Sequence, residues 1–221
     1  LYLLGEQDRI LGVSGYTVRP PQARREKPRV SAFISADIPK ILALRPDLVL
    51  TFSDLQADIV ASLIRAGVAV HAFNQRTVAE ILGMIRTLGA LVGAQDRAED
   101  LATRLAANLE DTRRRAAQRR DRPKVYFEEW DEPMISGIAW VSELIEAAGG
   151  TDIFPELATC ESAKDRIVTR EEVIRRAPDI IIGSWCGKKF KQEKVVARSG
   201  FETVPAVRSG RLREIKSPLI L

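Results

Sequence analysis

Gln95-Asp-Arg-Ala-Glu-Asp-Leu-Ala-Thr-Arg-Leu-Ala-Ala-Asn-Leu-Glu-Asp-Thr-Arg-Arg-Arg-Ala-Ala-Gln-Arg-Arg120 is the stretch on which the reading of this chain turns. It holds no Gly or Pro, and it places Leu101, Leu105, Leu109 and Thr112 at spacings of four, four and three. That period describes a helix with one narrow apolar stripe. Asp96, Glu99 and Asp100 stand in the first turns and arginines crowd the last, as the helix dipole favours, and Pro123 closes the run. The expectation is a continuous helix over 95–120 with Leu101, Leu105 and Leu109 turned inward and the arginines exposed. At about 1.5 Å per residue it spans about 35–40 Å, enough to cross a whole lobe.

On either side of this helix the chain says similar things twice. Ile41-Leu-Ala-Leu-Arg-Pro46-Asp47-Leu-Val-Leu50 reads as a helix end, a Pro-Asp turn and an apolar strand, and Val173-Ile-Arg-Arg-Ala-Pro178-Asp179-Ile-Ile-Ile182 repeats it 132 positions later. Two α/β lobes, 1–94 and 121–221, joined by a linker helix over 95–120, follow from the repeat. The remaining pattern agrees. Segments 38–44, 55–66 and 78–92 read as helices alternating with β-branched, apolar strands at 48–52 and 68–73, the mark of a mostly parallel sheet covered on both faces. After the linker, 124–130, 180–182 and 212–215 read as strands, 140–148 as a helix stopped by Gly149-Gly150, and 169–176 as a helix opened by a Thr169/Glu172 capping box.

Composition bounds the function. A 221-residue chain with 45% hydrophobic residues buries one large core or two small ones. Its formal net charge is only +4, but Arg113, Arg114, Arg115, Arg119, Arg120 and Arg122 lie in one short segment. Without interleaved aromatics this cluster reads as the solvated end of a helix rather than a nucleic-acid surface. Cys160 and Cys186 form no CxxC pair and read as two free thiols, although one disulfide is open to them. The lone His71 builds no metal cage, and its bland reading is a hydrogen-bonded strand residue.

No nucleophile elbow, phosphate loop, HExxH or dinucleotide fingerprint is present, so no catalytic residue, resident cofactor or metal site is expected. Glu128, Glu129, Asp131 and Glu132 crowd around Trp130. They read as paired acids or a cation site, but an alternating strand points neighbours to opposite faces and cannot converge them all. Strand exits instead carry aromatic and small polar residues: Tyr16, Phe52, Ser53 and Phe73 in the first half, Trp130 and Trp185 in the second. In open α/β sheets ligands bind at those exits. The aromatics describe a wall for something large and partly apolar. Asp54 also ends a strand, though an N-cap of the next helix is the simpler role. Trp140 opens a helix and reads equally as core.

The stretches Ile10-Leu-Gly-Val-Ser-Gly-Tyr16 with Pro20-Pro21-Gln22-Ala23, Ile41 to Leu50, and Ser136-Gly137 with Val141-Ser-Glu-Leu-Ile-Glu-Ala-Ala-Gly-Gly-Thr-Asp-Ile-Phe154 resemble the cobalamin-binding periplasmic proteins of ABC importers. More broadly they resemble the siderophore-, haem- and cobalamin-binding family. The likeness covers nearly the whole chain. It implies two Rossmann-like lobes joined by one long helix, of the class III periplasmic-binding-protein type, with ligand in the cleft. It also implies a monomer outside the cytoplasmic membrane, periplasmic or lipid-anchored, that docks on a membrane permease with its ATPase. By resemblance Tyr16 matches the family's cleft tyrosine, Trp130, Ser136, Trp185 and Ser217 fall near cleft-lining segments, and Glu171 or Glu172 serves as a docking acid. The runs 127–133 and 185–189 depart from the vitamin-binding pattern, which leaves another corrinoid, a haem or a ferric siderophore as ligand. The alternative class is a cytoplasmic corrinoid-handling or sensing protein, or a divergent enzyme, of the same fold. Leu1 reads as mid-helix, and Ser217-Pro218 opens a helix. The first strand of one lobe and the last helix of the other are therefore expected to lie outside the chain.

Overall fold

The computed structural model describes residues 1–221. In chain order its elements are β1 (Val13–Ser14), α1 (Pro21–Glu26), β2 (Arg29–Ser31), α2 (Ile38–Ala43), β3 (Val49–Phe52), α3 (Ala57–Arg65), β4 (Val70–Phe73), α4 (Val78–Leu91) and α5 (Gln95–Ala117). There follow β5 (Lys124–Asp131), β6 (Met134–Ser136), α6 (Ala139–Ala147), β7 (Thr151–Asp152), α7 (Arg170–Arg176), β8 (Ile180–Gly183), α8 (Gln192–Val196), α9 (Pro205–Arg208) and β9 (Leu212–Glu214). Short 3₁₀ turns at Tyr2–Leu4, ended by Gly5 at φ 72°, and at Ser217–Leu219 stand where the sequence suggests a helix end and a helix start.

The chain forms two compact units: Leu1–Gln75 with Ala79–Arg104, and Arg76–Val78 with Leu105–Leu221. The division falls inside α5. Arg76, Thr77 and the first residue of α4, Val78, belong to the second unit, where Trp140 N–H donates to the Arg76 carbonyl at 2.9 Å and Val78 N–H to Glu143 at 2.7 Å.

Helix α5 is continuous for 23 residues, roughly 34 Å. It stops three residues short of Arg120, where Gln118 and Arg119 N–H groups turn back to the carbonyls of Arg115 and Ala116. Its buried line differs from the expected one. Ala98, Leu101 and Ala102 are buried, whereas Leu105 is 39% exposed and Leu109 half-buried. The cause lies in the partner helix: a Cβ on Gly89 of α4 would fall 2.2 Å from the Ala98 Cβ, so the two helices meet through small residues. Leu4, Ala94, Ala98 and Leu101 make the cluster there, and Leu105 lies beyond its reach. The arginines are taken up in exposed pairs, Arg113–Glu110 at 3.5 Å, Arg114–Asp111 at 3.1 Å and Arg115–Asp111 at 3.0 Å. Such pairs contribute a few tenths of a kcal/mol each, roughly 0.3–0.5.

The Pro-Asp repeat is also a repeat of backbone. A residue before proline is denied the right-handed helical region, so the helix must end there. Arg45 and Ala177, the residues before Pro46 and Pro178, both take φ 49° and release the chain into β3 and β8. The sheets that these two strands enter differ. In the first unit β1 pairs β2 and β3 pairs β4, all parallel, as two separate two-stranded sheets. In the second, five strands form one sheet in the order β6-β5-β8-β9, with β7 also on β5.

That larger sheet is covered on both faces. Tyr126 and Ile181 point into one cluster with Phe154, Trp185, Phe190 and Phe201, while Val125 and Phe127 point into another with Val141 and Ile145. The last residue of β8 is Gly183, where a Cβ would sit 1.9 Å from the Phe190 ring. The antiparallel β6 and the short β2 and β7 carry two or three residues each, too few for a period to register.

Candidate ligand-binding site

In the first unit the strand exits gather along one edge. β1 leads through Gly15 to Tyr16, 66% exposed, whose N–H donates to Ser14 Oγ at 3.2 Å. β2 leads to Phe33 and Ile34, 41% and 69% exposed. Phe52 and Phe73 sit opposite each other at the ends of β3 and β4, and the His71 ring lies 4.4 Å from that of Phe73. Gln56 ties two of the exits together: its Oε1 accepts from Phe52 N–H at 2.9 Å and its Nε2 donates to the Phe33 carbonyl at 2.7 Å.

Ser53 takes φ 75°, and its Oγ donates to Asp54 at 2.8 Å while accepting from Leu55 N–H at 3.4 Å. Ser53, not Asp54, is therefore the capping residue. The turn lifts Leu55 to 59% exposure. Tyr16, Phe33, Ile34 and Leu55 are thus exposed just past strand ends, while Phe52 and Phe73 are half-buried. Phe33, Ile34 and Leu55 escape a sequence reading because their loops carry no period; the only signal is an apolar residue directly after a strand.

The second unit corrects several expectations. Trp185 is 2% exposed, packs edge-on against Phe190 at 5.0 Å, and donates its indole N–H to Glu128 at 2.9 Å. It is core, not ligand wall: Gly183 leaves room for the Phe190 ring, and the indole packs on that ring. Ser136 is 2% exposed and donates to the Arg166 carbonyl at 3.3 Å, so it too is interior. Trp140 packs beside the core and donates to the Ile220 carbonyl at 2.7 Å. Ser217 is half-buried, its carbonyl accepting from Leu221 N–H at 2.8 Å. Trp130 remains half-buried at the β5 exit, its N–H on the Glu132 carbonyl at 2.8 Å and the Lys188 ammonium 3.8 Å above its ring.

The acidic cluster is neither an acid pair nor a cation site. Each buried carboxylate has its own cation. Glu128, fully buried, accepts from Arg198 at 2.5 and 3.0 Å. Glu129 accepts from the buried Arg166 at 2.7 Å. Asp131 is bonded by Lys188, with Lys194 at 3.7 Å. Burial and the neighbouring Glu128 charge push the Tyr126 phenol well above its usual range.

Burial pushes the Asp131 carboxyl up, but the hydrogen bond and charge of Lys188 outweigh it and hold the group below its ordinary range. A carboxyl with a depressed folded pKa stabilises the fold while it is charged, above its unfolded value near ~3.9, and that contribution is lost as pH falls through the folded value. Asp131→Asn is therefore expected to lower stability at neutral pH, with the gap to wild type narrowing below about pH 4. Urea unfolding at several pH values measures it; a gap independent of pH contradicts the assignment.

Of the two docking candidates, Glu172 is held by Arg175 and Arg176 at 2.8 and 3.0 Å, and Thr169 caps the helix through Glu172 N–H at 3.2 Å. Glu171 is exposed on the first turn of α7. Cys160 and Cys186 are both free thiols.

The chain thus has two α/β units with parallel strands and aromatic strand exits, the division between them falling inside α5. The chain belongs to the periplasmic binding protein family, whose model matches residues 1–219. It is 28% identical over 187 residues to the vitamin B12-binding protein of Vibrio cholerae, covering 83% of this chain and 65% of that protein. It is 23% identical over 228 residues to the ABC transporter substrate-binding lipoprotein YvrC of Bacillus subtilis, covering 99% and 69%. In fold it is similar to the periplasmic haem-binding protein RhuT of Roseiflexus sp. RS-1, with TM-score 0.83, 22% identity, and coverage of 100% of this chain and 86% of that one. The chain thus spans about two-thirds of the length of these curated relatives.

Proposed function

We propose that this chain is the substrate-binding component of an ABC importer, holding a corrinoid such as cobalamin, or a haem or ferric siderophore, and delivering it to a membrane permease and its ATPase. The observation that carries the reading is the set of exposed apolar and aromatic residues at the strand exits of the first unit. Tyr16, Phe33, Ile34 and Leu55 are exposed past the strand ends, and Phe52 and Phe73 are paired at the ends of β3 and β4. Strand exits are where open α/β sheets take ligands, and exposed apolar side chains there support a contact site. A macrocycle laid on it gains dispersion and apolar burial without a charge match. The family supports a binding role rather than catalysis. The name of the Vibrio cholerae relative favours a corrinoid among the candidates.

In this reading Tyr16, Phe52, Ser53 and Phe73 are ligand contacts on the first unit, and Trp130 and Ser217 on the second. The protein works outside the cytoplasmic membrane as a monomer. Glu171, exposed where Glu172 is already paired, is the docking acid on the second unit. Absorbance titration with cobalamin, haem and a ferric siderophore tests the proposal: one of the three shifts its spectrum on binding. Tyr16→Ala weakens that binding by about 1–3 kcal/mol, roughly five- to two-hundred-fold, with the fold intact. No spectral change with any of the three, or a Tyr16→Ala protein that binds as wild type does, contradicts it.

A further inference from the structure

We infer that the strand-entry edge of the second unit is a docking face for an anionic phospholipid surface. This face is separate from the strand exits where ligand is proposed to bind. β5, β7, β8 and β9 run parallel, so the residues that lead into them gather at one edge of the sheet. Backbone bonds fasten those lead-ins to one another. Thr151 N–H donates to the Pro123 carbonyl at 2.9 Å, Asp179 N–H to the Lys124 carbonyl at 2.8 Å, and Ile181 N–H to the Arg211 carbonyl at 3.0 Å. Ala206 N–H brings α9 to the same edge by donating to the Pro178 carbonyl at 2.9 Å.

What this edge presents is cationic. Arg119, Arg120, Lys124, Arg208, Arg211 and Arg213 are all exposed and in no ion pair, whereas the arginines inside α5 are paired with Glu110 and Asp111. Arg213 is turned back to the edge, its Nη1 donating to the Gly210 carbonyl at 3.1 Å. The carboxylates in the lead-ins are Asp121 and Asp179, and Asp179 is already taken by the Lys124 N–H at 2.9 Å.

The end of α5 does not by itself account for these charges. A helix C-terminus favours cations in its last turn, and Arg114 and Arg115 already stand there. The remaining cations come from the loop into β5, from β5 itself, from α9 and from the approach to β9. With β8 between them, the backbones of Lys124 and Arg211 stand roughly 10 Å apart, two strand spacings and about one Debye length at 0.1 M salt. Like charges held that close sum into one field, which a polyanion relieves. A protein partner is gripped by apolar and aromatic anchors in a dry centre, and Gln118, Ser209 and Gly210 between the cations supply none. No aromatic stands among them to stack a nucleic-acid base. A bilayer of anionic headgroups needs only the charge. A second unit lying on it by its strand entries holds its strand exits turned away from that surface and open to solvent.

Co-sedimentation of the protein with vesicles tests this at about 0.1 M salt. Vesicles of phosphatidylcholine and phosphatidylglycerol in roughly equal parts carry the protein down, and pure phosphatidylcholine vesicles do not. Arg119→Ser with Arg120→Ser weakens the partition by roughly 25-fold, about fivefold for each charge, and Arg208→Ser with Arg211→Ser does the same from other elements. Arg24→Ser with Arg25→Ser removes as much charge from an exposed part of α1 in the first unit and leaves the partition as in wild type. Equal sedimentation with both kinds of vesicle, none with either, or the same loss from the α1 pair overturns the inference. So does release by inorganic phosphate at constant ionic strength, which marks a site for a free anion, or a DNA duplex bound as tightly as the charged vesicles.

Discussion

Glu128→Ala is expected to cost about 3–5 kcal/mol of folding stability. Glu128 is fully buried on β5, and three donors converge on it: the Trp185 indole N–H at 2.9 Å and two Arg198 nitrogens at 2.5 and 3.0 Å. Removing the carboxylate leaves a guanidinium in the interior without its counter-charge and an indole N–H without an acceptor. Breaking one side of a buried pair costs more than the pair itself contributes, because the orphaned charge keeps its desolvation penalty. The double variant Glu128→Leu with Arg198→Met is expected to recover much of the loss, since it removes both charges from the same apolar surroundings. Urea denaturation of the three proteins checks this. A single variant within about 1 kcal/mol of wild type contradicts the role given to Glu128, that being the ordinary worth of one hydrogen bond.

Breaking α5 in the middle with Ala106→Pro is expected to cost about 3 kcal/mol or more. Ala106 stands well inside the 23-residue helix, two residues past the division between the units. Proline there removes the bond from residue 106 to the Ala102 carbonyl and drives its ring into the preceding turn. Ala102 is itself buried, so the kink reaches the packed line and is not absorbed in solvent. Ala106→Gly, which keeps the N–H, is expected to cost only about 1 kcal/mol. Thermal unfolding by circular dichroism distinguishes the two. If proline is no worse than glycine, α5 is not a continuous element under load at that point.

The elements that repeat a period over many residues are legible in this chain without its structure. Helix α5, the αβ alternation of the first half, and the helix ends before Pro46 and Pro178 each follow from local rules of spacing and backbone sterics. The strand exits follow as well, since a Tyr, Phe or Ser directly after an apolar run stands at the edge where parallel sheets take ligands. That places Tyr16, Phe52, Ser53 and Phe73, and the family resemblance rests on the same stretches.

What only the tertiary structure decides is which side of that edge each side chain falls on. Trp185 and Trp130 both stand near strand ends, yet one indole packs on the Phe190 ring in the core, while the other stays half-buried beneath Lys188. The acidic run around Trp130 reads as chemistry because its cations come from positions 37, 57 and 70 residues away, Arg166, Lys188 and Arg198. Leu105 shares its period with Leu101, but the small residues Gly89 and Ala98 choose where α4 touches α5 and leave Leu105 outside. Periodicity is a property of neighbours in the chain; burial and charge pairing are set by neighbours in space, and these come from segments that no local window contains.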